Sequence, residues 1–113
     1  MRDKLFLLEP DFEDGDGLRY YCPECAQIQG VLSFYPQLRN ELEVEYVNFA
    51  RPRKAIAELI GEANQGAPVL IVDDPSSLPV GVEYDEFEQR RFVSGAMPIG
   101  RYLAKRYGVA YPH

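Results

Sequence analysis

Apolar residues fall along this chain in short blocks of two kinds, continuous runs and helical stripes, which alternate. Leu5-Phe6-Leu7-Leu8 is a continuous run, short enough for a buried central strand. Ile28, Val31, Leu32 and Tyr35 then recur at i, i+3, i+4 and i+7, one face of a helix that opens at Pro23 and stops near Pro36. Glu43 to Phe49 alternates charged and apolar residues and reads as a strand. Pro52 is expected to open a second helix, with Ile56, Leu59, Ile60 and Ala63 inward and Asn64-Gln65-Gly66 as its end. Ala67 to Asp73 is a β-rich run with Pro68 at its mouth, where a sheet tolerates proline. A short strand is expected from Gln89 to Val93. The last helix takes Ser94 as cap, Pro98 in its first turn, Ile99, Leu103 and Tyr107 inward, and Gly108 as its left-handed stop. The order β-α-β-α-β-β-α predicts one α/β domain spanning residues 1–113, without repeats or linkers.

Two segments lie outside this pattern. Pro10 to Gly17 carries Asp11, Glu13, Asp14 and Asp16 and reads as a solvated acidic loop. Asp74 to Arg90 is broken by Pro75, Pro79 and Gly81, with an exposed acidic run from Glu83 to Glu88. The plain reading of both is a solvated face; under a binding-module reading they would cover or reshape the site.

Composition narrows the function. The net charge of −6 and pI near 4.7 argue against nucleic acid and anionic membrane surfaces as partners, since both are bound through Lys and Arg. No apolar run approaches a spanning helix, and the N-terminal run is too short for a signal peptide, so a cytoplasmic protein is expected. In that compartment a lone Cys-x-x-Cys is metal-binding or redox-active rather than a staple. Both cysteines lie in Tyr21-Cys22-Pro23-Glu24-Cys25. Pro23 suits the first helical position, which puts Cys22 at the N-cap, its sulfur near free N–H groups and the positive dipole end. That placement favours the reactive thiolate. Cys25, three residues on, lies on the same side and can close a disulfide, so Cys22 reads as attacker and Cys25 as resolver. The alternatives are two reduced buried thiols or half a zinc site. Zinc needs about four ligands, and the one histidine is His113.

A β-α-β unit with Cys-Pro-x-Cys at its first helix start, and a later strand opened by Gly66-Ala67-Pro68-Val69, resembles the thioredoxin fold. Within it, Tyr21 to Cys25 is most similar to the glutaredoxin signature. Ser94 to Gly108 resembles the last helix of a glutathione transferase N-terminal domain, whose helical second domain is absent from this sequence. The chain as a whole resembles an uncharacterised bacterial family of thioredoxin-like proteins, a domain of unknown function. The resemblance implies a four-stranded mixed sheet with three helices and a cis bond before Pro68. It also implies a thiol-disulfide oxidoreductase with glutathione or a protein thiol or disulfide as partner, and no tightly bound cofactor. Carried over onto this chain, Arg19, Tyr21, Pro23, Ala67, Pro68, Ser94 and Gly95 would contact glutathione or the substrate. The sequence departs from glutaredoxins in its long acidic loop before Cys22, and in Ser94-Gly95 where they carry an acidic pair.

Several readings stay open. Arg19 either meets a ligand carboxylate and supports the Cys22 thiolate, or is a solvated charge. Arg51, Arg53 and Lys54, where cations oppose the helix dipole, mark an anion site or a salt-bridged edge. Of Tyr20 and Tyr21, one is expected inward and one outward. The rival to an oxidoreductase is a redox-inert binding module on the same scaffold.

Overall fold

Leu5 to Leu8 are the last four residues of a strand that has a partner strand on each side and is buried on both faces. This explains why the run is continuously apolar rather than alternating. The computed structural model describes residues 2–113. In chain order it contains β1 (Asp3–Leu8), β2 (Phe12–Glu13), β3 (Arg19–Tyr20), α1 (Pro23–Phe34), α2 (Leu38–Glu41) and β4 (Leu42–Val47). Then come α3 (Lys54–Ile60), β5 (Val69–Ile71), a 3-10 turn at Pro75–Ser77, β6 (Asp85–Phe87), β7 (Arg90–Ser94) and α4 (Ala96–Tyr107). The main sheet is mixed, in the order β4-β1-β5-β7-β6. β1 pairs in parallel with β4, Leu5 opposite Val44, and the other neighbours are antiparallel.

Side chains alternate across a strand, so each face of the sheet needs its own cover. Leu5, Leu7, Leu70 and Val93 pack with Ile28 and Leu32 of α1 and Ile99 and Leu103 of α4. Phe6, Val69, Ile71 and Phe92 pack with Ile56 and Ile60 of α3. The result is a sheet between two helical layers. No helix among the described residues is long and apolar enough to cross a membrane.

The architecture is richer than the four strands and three helices expected: five strands in the main sheet, a separate two-stranded ribbon, and four helices. The additions are elements that carry little apolar periodicity. β6 is an edge strand of exposed acidic residues, paired only with β7, so burial marks only one of its faces, weakly, through Phe87. α2 is a single turn held by buried Leu38. The acidic loop is a hairpin, β2 to β3, anchored by Phe12, whose ring stacks on Phe49 with centroids 4.3 Å apart. Three helix boundaries also move. Pro52 follows a cis bond and lies outside α3, which starts at Lys54. α3 stops at Gly61, whose φ of 90° ends it and whose missing side chain makes room for the Phe87 ring, so Ala63 is exposed rather than inward. Ser94 completes β7, and Gly95 is the N-cap of α4.

At the end of the sheet opposite the cysteines, Asp3 is buried and collects three donors from distant segments. The Tyr102 hydroxyl donates to its Oδ2, the Tyr107 hydroxyl donates to the same oxygen at 2.7 Å, and the Asp73 N–H donates to Oδ1 at 2.8 Å. Burial first, and then the bond to Asp3, pushes both phenols above their ordinary pKa. A raised phenol pKa contributes stability that is fully present below the unfolded value, about 10, and is lost as pH rises above it. With both phenols protonated in the fold and ionised in the unfolded chain, this pair lowers stability by at most about 2.7 kcal/mol per pH unit. Denaturant titrations between about pH 9 and 11 are expected to show that decline, and Tyr107→Phe to remove about half of the slope.

Candidate functional site

Cys22 has extended backbone angles (φ −76°, ψ 118°) and caps α1, with Pro23 in the first helical position. Its Sγ accepts the Cys25 N–H at 3.2 Å, one of the donors that a helix start leaves without an intrahelical partner. Cys25 points inward, 5% exposed, and its Sγ accepts the Leu8 N–H at 3.4 Å. Burial, followed by the bond to Cys22, pushes the Cys25 thiol up to about 12, and the Leu8 N–H pulls weakly the other way. Both cysteines are free thiols, one half-buried and one buried. Helix geometry thus separates two chemically equal residues into a reachable sulfur and a protonated reserve one turn deeper.

The reachable sulfur opens into a mostly apolar cleft of about 480 Å³ on the α1 and β4 side. Leu7, Leu8 and Ala26 form its wall, Tyr46 donates to Gln29 Oε1 at 2.6 Å along its side, and Pro10, Asp11 and Tyr21 border it from the hairpin. Tyr21 is 64% exposed; Tyr20 is also exposed, its hydroxyl donating to Asp16, so neither tyrosine of the pair turns inward. That bond, with the Leu18 N–H at 3.0 Å, holds the Asp16 carboxyl below the usual range. Arg19 lies exposed on β3 with its guanidinium 3.7 Å from Asp11. Its charge is directed at the hairpin, and Arg19 is not part of the cleft wall.

On the other side of Cys22, the Ala67–Pro68 bond is cis, and the Ala67 carbonyl stands 4.0 Å from Cys22 Sγ. Pro68 O accepts the Gly95 N–H at 3.2 Å, which ties this turn to the start of α4. There the structure places a residue the sequence reading left unused. Glu24, inside the Cys-Pro-x-Cys, accepts the Ala96 N–H at 2.9 Å and so caps α4 from another helix. Gly95 holds φ 92°, a backbone conformation that a side chain would strain; an added Cβ would stand in ordinary contact with Glu24 Oε1, at 3.4 Å. Ser94 is exposed at the end of β7, paired with Val69.

Of the three cations near α3, Arg53 is inside the protein at 7% exposure. Its Nε and Nη2 donate to Phe49 O at 3.0 and 2.7 Å, its Nη1 to Gln65 O at 2.8 Å, and its backbone N–H to Gln65 Oε1 at 2.5 Å. Burial, then Arg51, draws its pKa below the ordinary value, and the two cysteine sulfurs pull it back up. Arg53 therefore ties the loop after β4 to the residues leading into Pro68. Arg51 and Lys54 are exposed.

The fold brings Cys22, Cys25, Tyr21, Pro23, Ala67 and Pro68 to one place, joins Gly95 to it through Pro68 and Glu24, and leaves Arg19 and Ser94 at its margin. Asp11, Gln29, Tyr46, Glu24 and Arg53 were not expected there. For Glu24 the available signal was a carboxylate next to a cysteine with no local cation; Gln29 and Tyr46 carried none. The segment 74–88 contributes nothing to the cleft wall. It buries Val82 and meets α4 through Glu83 to Arg101 at 2.6 Å and the Val80 carbonyl to Lys105 at 3.2 Å.

Residues 2–111 match a family model described as a protein of unknown function (DUF3088), and the chain belongs to that family. No curated protein and no solved structure matches it.

Proposed function

We propose that this member of the family is a thiol-disulfide oxidoreductase on a thioredoxin-like fold, with a glutaredoxin-like dithiol. The observation that carries the reading is the asymmetry of the pair: Cys22 at a helix N-cap facing a cleft, and Cys25 buried one turn below with its thiol pushed up to about 12. In the reaction, Cys22 loses its proton to water and its thiolate attacks a substrate disulfide. A mixed disulfide forms and one substrate thiolate leaves. Cys25 gives up its proton, to that thiolate or to water, and attacks Cys22 Sγ. The internal disulfide closes and the second substrate sulfur leaves to be protonated. Two thiols and one protein disulfide replace one substrate disulfide and two protein thiols. Two equivalents of glutathione, or one protein dithiol, reverse the change in the protein. Ala67 and Pro68 wall the attack side.

The rival is a scaffold that docks a partner without turnover, and the hairpin bordering the cleft supports it. Intact-mass measurement across a series of glutathione redox buffers separates the two. The expected result is a reversible loss of two hydrogen atoms as the internal disulfide closes and glutathione disulfide is reduced, or one glutathione adduct on Cys22. Thiols that stay reduced and unmodified throughout would sink the oxidoreductase reading.

A further inference from the structure

The cleft beside Cys22 is mostly apolar, with Asp11 as the one carboxylate in its lining, and the chain segment that borders it is acidic. The wall is Leu7, Leu8, Pro10 and Ala26 with the Tyr21 and Tyr46 rings. The segment that contributes Pro10 and Asp11 to the lining carries Glu9, Asp11, Glu13, Asp14 and Asp16, all exposed, against Arg19 on the same hairpin. Arg19 is already paired with Asp11, Arg39 donates to Tyr46 at 3.2 Å, and Arg53 is buried with its guanidinium bonded to the Phe49 and Gln65 carbonyls. Across Cys22, the first N–H of α4, a position suited to an incoming carboxylate, is taken by Glu24. An anion approaching from the hairpin side thus meets the net negative charge of residues 9–19, whereas a cation is drawn by that charge toward an apolar slot. The free cations Arg51 and Lys54 belong to the α3 side, outside this cleft.

Resting on the oxidoreductase reading, we infer that the disulfide Cys22 serves belongs to a basic polypeptide segment. An apolar side chain of that segment fills the cleft while its Lys or Arg residues meet the hairpin carboxylates. Apolar burial supplies the hold, and the rim charges act on encounter and choice of partner. The cleft volume suits a few side chains, and its open rim admits a chain running past the sulfur.

The test compares three probes on the reduced protein: the neutral bis(2-hydroxyethyl) disulfide, and two short peptides with a leucine near one cysteine blocked by 2-mercaptoethanol. The peptides differ only in flanking lysines or glutamates. The expected result is about a tenfold preference in kcat/KM for the lysine peptide over the glutamate peptide at low ionic strength, shrinking toward parity at high salt. In Glu13→Gln with Asp14→Asn, the rate ratio of lysine peptide to neutral disulfide is expected to fall several-fold. Both side chains are exposed, so this variant keeps the fold. Reaction with the neutral disulfide but equal rates for the two peptides, or a faster glutamate peptide, overturns the substrate class and leaves the oxidoreductase reading standing. Failure with all three probes overturns both.

Discussion

Cys22→Ser is expected to reduce disulfide exchange to background, a loss of about a thousandfold or more, because the attacking sulfur has no substitute. The only other sulfur of the motif is Cys25, which is 5% exposed, bonded to Leu8 and pushed up to about 12, so it supplies almost no thiolate at neutral pH. Cys25→Ser is expected to behave differently. Cys22 still attacks, but nothing resolves the product, so one substrate adduct per chain accumulates and is read by intact mass before and after dithiothreitol. A scaffold with inert thiols predicts instead that both variants match the parent protein. The pair of outcomes tests the division of labour, which a single knockout does not.

The largest stability effect is expected far from the sulfurs. Asp3→Ala removes the acceptor shared by the Tyr102 hydroxyl, the Tyr107 hydroxyl and the Asp73 N–H. The buried Tyr102 hydroxyl left without a partner costs about 1–3 kcal/mol and the partly buried Tyr107 and Asp73 donors less each, so a loss of about 4 kcal/mol is expected. That is a large fraction of a typical 5–15 kcal/mol stability and corresponds to a midpoint lowered by roughly 15 °C. Asp3→Asn keeps one acceptor oxygen and is expected to cost about half as much. Combining Asp3→Leu with Tyr102→Phe and Tyr107→Phe removes most of the donors with the acceptor and is expected to recover part of the loss. Thermal unfolding of the series checks this; a loss below about 1 kcal/mol for Asp3→Ala would mean that water replaces the carboxylate at little cost.

The two effects differ in how far they were legible. Pro23 after Cys22 already marked a helix start with a sulfur at its cap, and the spacing of Ile28 and Leu32 marked the face that holds it down. The run Leu5 to Leu8 showed a strand covered on both faces, which the separate packing of Leu5 and Phe6 displays. The hairpin was missed because its anchor, Phe12 against Phe49 and the core, joins residues of different segments. β6 was missed because an exposed edge strand needs no apolar alternation. Arg53 looked like one of three surface cations, and nothing beside it announces the carbonyls of Phe49 and Gln65 that bury it.

By itself, the sequence determined what depends on a residue and its neighbours within a turn: strand and helix cores, the cap at Cys22, and the placing of Cys25 one turn along the same helix. Those follow from periodicity, φ preferences and local N–H donors, which act over three or four residues. Only the tertiary structure decided which polar groups meet: Glu24 with Ala96, Ala67 with Cys22, Asp3 with Tyr102 and Tyr107. A buried donor or acceptor must find a partner, but any residue of the right chemistry will serve. Which one arrives is settled by how the strands and helices stack, and the pattern of charges around Cys22 was settled in the same way.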